Sequence, residues 1–253
     1  MRQQSISVHF VRAVLKHAVA SGLDPVQLLR DNRISPRLLV EEDARISIER
    51  FADLQVSTIL AMGDEGLGYG KKPLPLGTWS MMCYAVIHCD TLGKALARYC
   101  RFFGLFQHVT APDLLLEGND AIVRLADPGG HADVDQYVGE LALFNCHRFM
   151  SWMTQELLPA RAFNFAHPAP AYVDQYRPMF AGNPVNFEQP HTEMVLNEAL
   201  LSKPVTQNEQ SLSRFLRHPV LAMLTQHYDR SSWTSRVKKM LRNCLLYTSD
   251  AAD

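Results

Sequence analysis

Leu114-Leu115-Leu116-Glu117-Gly118-Asn119-Asp120-Ala121-Ile122-Val123-Arg124-Leu125 is the stretch that decides the fold class. Two apolar runs, Leu114 to Leu116 and Ala121 to Leu125, flank a polar segment carrying glycine, asparagine and aspartate, residues that tolerate turn backbone. This reads as two antiparallel strands joined by a turn. Upstream of Leu105 the apolar residues recur at helical spacing instead, so strands follow helices rather than alternating with them, and the class is α+β.

Working back from the strands, Leu92, Ala95, Leu96, Tyr99, Cys100 and Phe103 share one helical face behind an Asp90-Thr91 cap, and Gly104 ends that helix. A helix from Trp79 to about His88 precedes it. Ser47, with Glu49 behind it, opens a helix carrying Phe51, Leu54, Ile59 and Met62 and closed by Gly63. Ser35-Pro36 and Asp24-Pro25 each place a cap before a proline at the first helical position. Phe10, Val11, Val14, Leu15, Ala18 and Val19 form the first helical face, stopped by Gly22.

Working forward, a long helix is expected from about Asp133 to Leu158, with Asp133 and Asp135 suiting its positive N-terminus. As paired catalytic carboxylates these two are poorly arranged, because residues two apart on a helix diverge. Further strands are expected at Ala162 to Phe165, Asn183 to Phe187 and Thr192 to Leu196, and helices resume from Asn197, broken by Pro204 and Pro219. The expected architecture is a helical N-terminal half packed on a small antiparallel sheet, followed by linker helices.

With 47% apolar residues the 253-residue chain has ample material for a core. Its 25 basic and 26 acidic residues nearly cancel, so nothing in the overall charge points to a polyanionic partner for the body of the chain. No apolar run reaches the ~18 residues of a membrane helix, and a cytoplasmic location is expected. Cys83, Cys89, Cys100 and Cys146 sit in apolar helical patterns without Cys-x-x-Cys spacing and read as buried thiols. The last ten residues, Cys244 to Asp253, resemble translated sequencing adapter, so the native chain is expected to be cut at about Asn243.

Chemical motifs are few. Gly66-Leu67-Gly68-Tyr69-Gly70-Lys71-Lys72 suggests a phosphate loop, but three residues rather than four separate Gly66 from Gly70, and Lys72 stands where a hydroxyl is needed. A flexible connection or bulged strand is the better reading. None of the ten histidines forms His-Glu-x-x-His, and Gly-x-Ser-x-Gly is absent. No enzyme activity, cofactor or metal is expected. Aromatic residues are dense between Trp79 and His108, a composition that fits either core or a lined pocket. The candidate ligand-binding residues are Trp79, Tyr84, Tyr99, Phe102, Phe106 and His108, between two helices and the start of the sheet. Apolar or mixed ligands suit that region better than multiply phosphorylated sugars, because it offers only Arg98 and Arg101 as cations.

Phe163-Asn164-Phe165-Ala166-His167-Pro168-Ala169-Pro170, then Tyr176, Met179-Phe180 and Asn183-Pro184-Val185-Asn186-Phe187, resembles the effector-domain signature of AraC/XylS-type transcription regulators, Phe-x-His-Pro-x-Pro, tyrosine, Leu-Phe-Gly, Pro-Val-x-Phe. Arg45-Ile46-Ser47, Gly63 to Gly68 and Thr91 to Leu96 agree with it, while Met179 and Ala181-Gly182 depart slightly from Leu-Phe-Gly. The resemblance spans about residues 5 to 243. It implies an effector-binding domain over 1–200, a helical linker or dimerisation region over 201–231, and over 232–243 the first helix of a truncated helix-turn-helix domain. Arg236, Lys238, Lys239 and Arg242 are then candidates for DNA phosphate contact. The implied partners are a small-molecule effector, a second copy of the chain, and DNA for the full-length protein, with no membrane. The alternatives from other classes are a cytosolic enzyme, a haem-type sensor using His88, His108 or His147, and a dimerisation module without ligand.

Overall fold

A computed structural model of the chain describes residues 5–106, 111–126 and 135–226. It is α+β, with a five-stranded and a two-stranded sheet. The small sheet comes from a repeated local device. Strand β1 (Ser5–Ser7) runs into helix α1 (Val8–Leu15), and β2 (Arg45–Ser47) runs into α3 (Ile48–Met62). Ser7 and Ser47 each end a strand and cap the following helix, accepting from the His9 and Arg50 backbone N–H. The two strands pair antiparallel, Ile6 opposite Ile46. Three-residue strands are too short to show alternation, so neither was expected.

α1 is shorter than its apolar periodicity. The turn after Leu15 closes with the Leu23 N–H on the Ala18 carbonyl and Gly22 at φ 77°, which keeps Ala18 buried but leaves Val19 two-thirds exposed. Helix α2 (Pro25–Asp31) begins at the predicted Asp24 cap, and Pro36–Val40 forms a short 3-10 turn. These elements enclose one core of Val8, Val11, Val14, Leu29, Phe51 and Leu54.

The second and larger core lies between the five-stranded sheet and α4 (Thr78–Val86), α5 (Leu92–Gly104) and α6 (Gln136–Thr154). Strands β3 (Pro112–Glu117) and β4 (Asp120–Leu125) form the predicted hairpin, with Leu114 opposite Val123. β5 (Ala160–Asn164), β6 (Val185–Asn186) and β7 (Glu193–Asn197) complete the order β3-β4-β7-β5-β6. The sheet is antiparallel except at one edge: β6 pairs parallel to β5, with Phe163 opposite Val185. The connection between them, including helix α7 (Tyr176–Met179), is long enough to return the chain in the same direction. Its end holds Ala181 at φ 54° and Gly182 at φ 73°, two left-handed residues where the sequence departs from the expected Leu-Phe-Gly.

α6 is capped by the Asp135 side chain, which accepts from the Tyr137 N–H, and starts three residues after the expected Asp133, which lies outside the described residues. It is buried on most of its faces, and its buried residues include the polar Glu140, His147, Arg148, Ser151 and Thr154 as well as apolar ones. Tyr137 at its start packs into the first core, and Leu143 to Met153 into the second. After β7, residues 203–207 dock on the ends of α5 and α6: the Leu92 N–H donates to Lys203 O and the Thr206 N–H to Met153 O. Helices α8 (Glu209–Phe215) and α9 (Pro219–Leu224) follow. Phe215 stacks near Trp152 at 4.6 Å, and Leu224 packs against both cores. No helix among the described residues is long and apolar enough to cross a membrane.

Candidate functional site

The two cores do not close on each other completely. A part-open cavity of about 1140 Å³ runs between them, bounded by α3, α4, α5, β4, α6 and α9. Its walls are mainly apolar, with Phe51, Phe103, Val123, Leu141, Phe144 and Met223 among them. The size is a little above the ~300–1,000 Å³ typical of small-molecule sites.

Trp79 and Tyr99, two of the six candidate ligand-binding residues, line this cavity. Trp79 is half-buried and meets Phe149 edge-on at 5.4 Å, while Tyr99 is buried and tilted against Phe103 at 4.9 Å. Phe102 and Phe106 pack on one another at 5.5 Å and do not line it. Tyr84 is 44% exposed, and His108 lies outside the described residues. The sheet begins at Pro112, later than the segment Phe106 to His108 around which the site was expected. Arg98 donates to the Ala85 carbonyl, and neither it nor Arg101 reaches the cavity.

Several walls escaped the sequence reading because nothing in a helical apolar pattern distinguishes a residue facing a cavity from one facing another side chain. Gln55 on α3 is 7% exposed, and Asn145 and Arg148 lie on α6. Polar residues inside buried helical faces were the available signal. Arg148 is buried; its Nη2 donates to Met179 O at 3.1 Å, its Nη1 reaches within 3.5 Å of Gln226 O, and its guanidinium lies 5.4 Å over Phe144. One side chain thus touches the cavity, the end of α7 and the segment leaving α9.

Two neighbouring acids build the cavity's α4 side. Asp64 accepts from the Gly66 N–H (2.7 Å), the Leu74 N–H (2.7 Å) and the Gly68 N–H (2.8 Å). The glycine-rich loop therefore does present N–H groups to an anion, and the anion is the protein's own carboxylate. Gly68 is required there: its φ is 78°, and a Cβ would stand 2.6 Å from His17 Cβ. Glu65 accepts from the Gly77 and Trp79 N–H groups, each at 2.7 Å, so it anchors the N-terminus of α4. Burial raises its pKa against those two bonds.

The signature residues gather elsewhere. Phe163, Phe165 and Phe180 are fully buried, and Tyr176 nearly so. The Tyr176 and Tyr172 hydroxyls donate to Glu140 Oε1, the latter at 3.2 Å. His167 Nε2 stands 3.8 Å from the same oxygen, beyond hydrogen-bond reach. Neither His167 Nε2 nor Glu140 Oε2 has a hydrogen-bond partner among the described residues. Burial pushes Glu140 up to about 7, against the lowering effect of the tyrosine bonds, and pushes His167 down. Glu140, Tyr176 and His167 do not line the large cavity.

His147 is buried, held down to about 4 by desolvation, and its Nε2 lies 2.8 Å from Leu158 O, the place of a neutral donor. His88 pairs with Glu209 at the surface. The four cysteines among the described residues are free and buried, and burial raises each thiol, Cys100 to about 12, which disfavours the thiolate. Arg236, Lys238, Lys239 and Arg242, with the adapter-like tail, lie outside the described residues.

Residues 22–205, well over half of the chain, match the family model described as the arabinose-binding domain of AraC transcription regulators, N-terminal. No curated protein gives a significant match.

Proposed function

Because the chain belongs to the family of N-terminal effector domains of AraC transcription regulators, we propose that it senses a small molecule in the cavity between its two cores and transmits occupancy through α9. The observation that carries this reading is that α9 is itself a wall. Val220, Leu221, Met223 and Leu224 of α9 line the cavity, and the sequence continues beyond α9 to Arg236, Lys238, Lys239 and Arg242. A ligand that contacts these side chains has a different interaction energy with each position of α9. Such differential affinity is what shifts a conformational equilibrium.

Arg148 supports the same path, since it reaches from the cavity wall to Met179 O and Gln226 O. In the complete regulator, α9 would then set how a following helix-turn-helix domain is presented to DNA, and the basic set would make phosphate contacts. A second copy of the chain would bring two such domains to paired half-sites. The enzyme and haem-sensor readings lack a comparable observation, because the histidines they need make structural contacts or lie outside the described residues.

The test is a reporter driven by the complete reading frame of the gene, screened against candidate effectors, with Leu141→Trp introduced to fill the cavity. The reading predicts a further stretch of coding sequence with two helix-turn-helix patterns and a response that Leu141→Trp makes independent of effector. A frame without those patterns, or a response indifferent to the filled cavity, would overturn it.

A further inference from the structure

The polar groups inside the cavity are unequal in kind, and the difference points to the chemistry of the effector. Its charged residues are either committed or peripheral. Both Glu65 oxygens accept backbone N–H groups, and Arg148 is tied to the Met179 carbonyl. Arg33, Arg45, Arg50, Asp53 and Arg217 are solvent-exposed along its edges. An ion entering the interior would lose water without gaining a dedicated counter-charge, and an unpaired buried charge is among the costliest states available.

Some uncharged groups are committed too, as Tyr69 is to the Ala13 carbonyl and Ser80 to the Gly77 carbonyl, but three behave differently. Gln55 on α3, Tyr99 on α5 and Asn145 on α6 all line the cavity. Gln55 and Tyr99 are 7% and 4% exposed, and Asn145 is half-buried. None of the three side chains makes a hydrogen bond within the described residues. Amides and hydroxyls left without protein partners at a cavity wall are available to a ligand or to water. They sit on three different helices around a space whose walls are mainly apolar. A ligand that satisfies them must be apolar along its body and polar at separated points.

Taking the cavity as the effector site proposed above, we infer that its ligand is an uncharged, extended and mainly apolar molecule with hydroxyl, carbonyl or amide groups at two or more separated positions, held by Gln55, Tyr99 and Asn145. A free pentose fits poorly. It is small against a cavity of about 1140 Å³, and its many hydroxyls would face walls such as Phe51, Val123, Leu141 and Phe144. Hydroxyls buried without partners cost more than the contacts return.

The experiment uses the 253-residue chain and three probes: 17β-estradiol as a rigid uncharged molecule with a hydroxyl at each end, its 3-sulfate as the charged counterpart, and L-arabinose. Binding is measured by calorimetry and by quenching of tryptophan fluorescence. The inference predicts that the diol binds at least tenfold more tightly than the sulfate, and that arabinose gives no saturable signal. Gln55→Leu and Asn145→Leu should each weaken the diol by about tenfold, the effect of one uncharged hydrogen bond with its partner left unmade. Tyr99→Phe, which keeps the ring, separates loss of the hydroxyl from loss of packing, and thermal unfolding of each variant checks that the fold is intact. Tighter binding of the sulfate or of arabinose, abolished by Leu141→Trp, would overturn the ligand class while leaving the cavity as the site. Binding of any probe that survives Leu141→Trp unchanged, or binding of none of them, would overturn the assignment, the former together with the reading on which it rests.

Discussion

Glu140 enters the core with two tyrosine hydroxyls donating to one oxygen and, among the described residues, nothing donating to the other. Desolvation outweighs the tyrosine bonds and lifts it from an ordinary 4.5 to about 7. Between those two values the folded chain holds a proton that the unfolded chain has released. Stability from this group is therefore present below about pH 4.5 and is lost as pH rises through 7. Glu140→Gln keeps an acceptor for Tyr172 and Tyr176 and removes the ionisation. Urea unfolding of both proteins from pH 5 to pH 8 should show the variant gaining on the wild type by on the order of 3 kcal/mol across that range. His167, whose pKa burial lowers, contributes in the opposite direction below its ordinary value, which is why the difference between the two proteins is the quantity to read. Parallel stability curves would show that Glu140 is not the titrating group.

The Asp64 loop shows what one carboxylate does for an element. Three backbone N–H groups of the segment leading into α4 point at it, and Glu65 holds the first turn of the helix. Asp64→Ala leaves buried donors unpaired and should cost on the order of 3 kcal/mol in equilibrium unfolding. A cost below about 1 kcal/mol would mean that water or a rearranged loop replaces the carboxylate. Gly93 makes a second such point: a Cβ there would lie 3.1 Å from both Leu201 Cβ and Leu201 O. Gly93→Val should destabilise by about 1–3 kcal/mol by pushing α5 off the chain that leads to α8, as thermal unfolding would report. The elements most legible in the sequence were those whose signals are local: the Asp24 and Ser47 caps, the Gly118 turn and the amphipathic α5. The paired strands β1 and β2 were not legible, because their pairing is between residues about forty apart and each strand is only three residues long. β6 looked antiparallel for a related reason, since strand direction depends on where the chain has travelled in between. The His-Pro-x-Pro segment was legible as a signature, but its convergence on Glu140 needed coordinates.

At the scale of the molecule, the two cores meet along α6 and leave between them the cavity that α9 covers. The sequence pointed to the aromatic side of that cavity through Trp79 and Tyr99; it did not point to α3, α6 and α9, whose lining residues look like ordinary core in a helical pattern. Filling the space should act on the whole: Leu141→Trp adds buried apolar surface where there is room, and a melting temperature higher by a few degrees is expected, on the order of 1 kcal/mol. The central claim is that occupancy of the cavity is felt by α9. Hydrogen exchange of the backbone amides in residues 220–226, compared between the wild type and Leu141→Trp, tests it most directly, with the β5–β6 edge as an internal reference. Exchange slowed at least tenfold in α9, with the reference unchanged, is the result predicted; equal exchange in α9 with the cavity filled would contradict the claim.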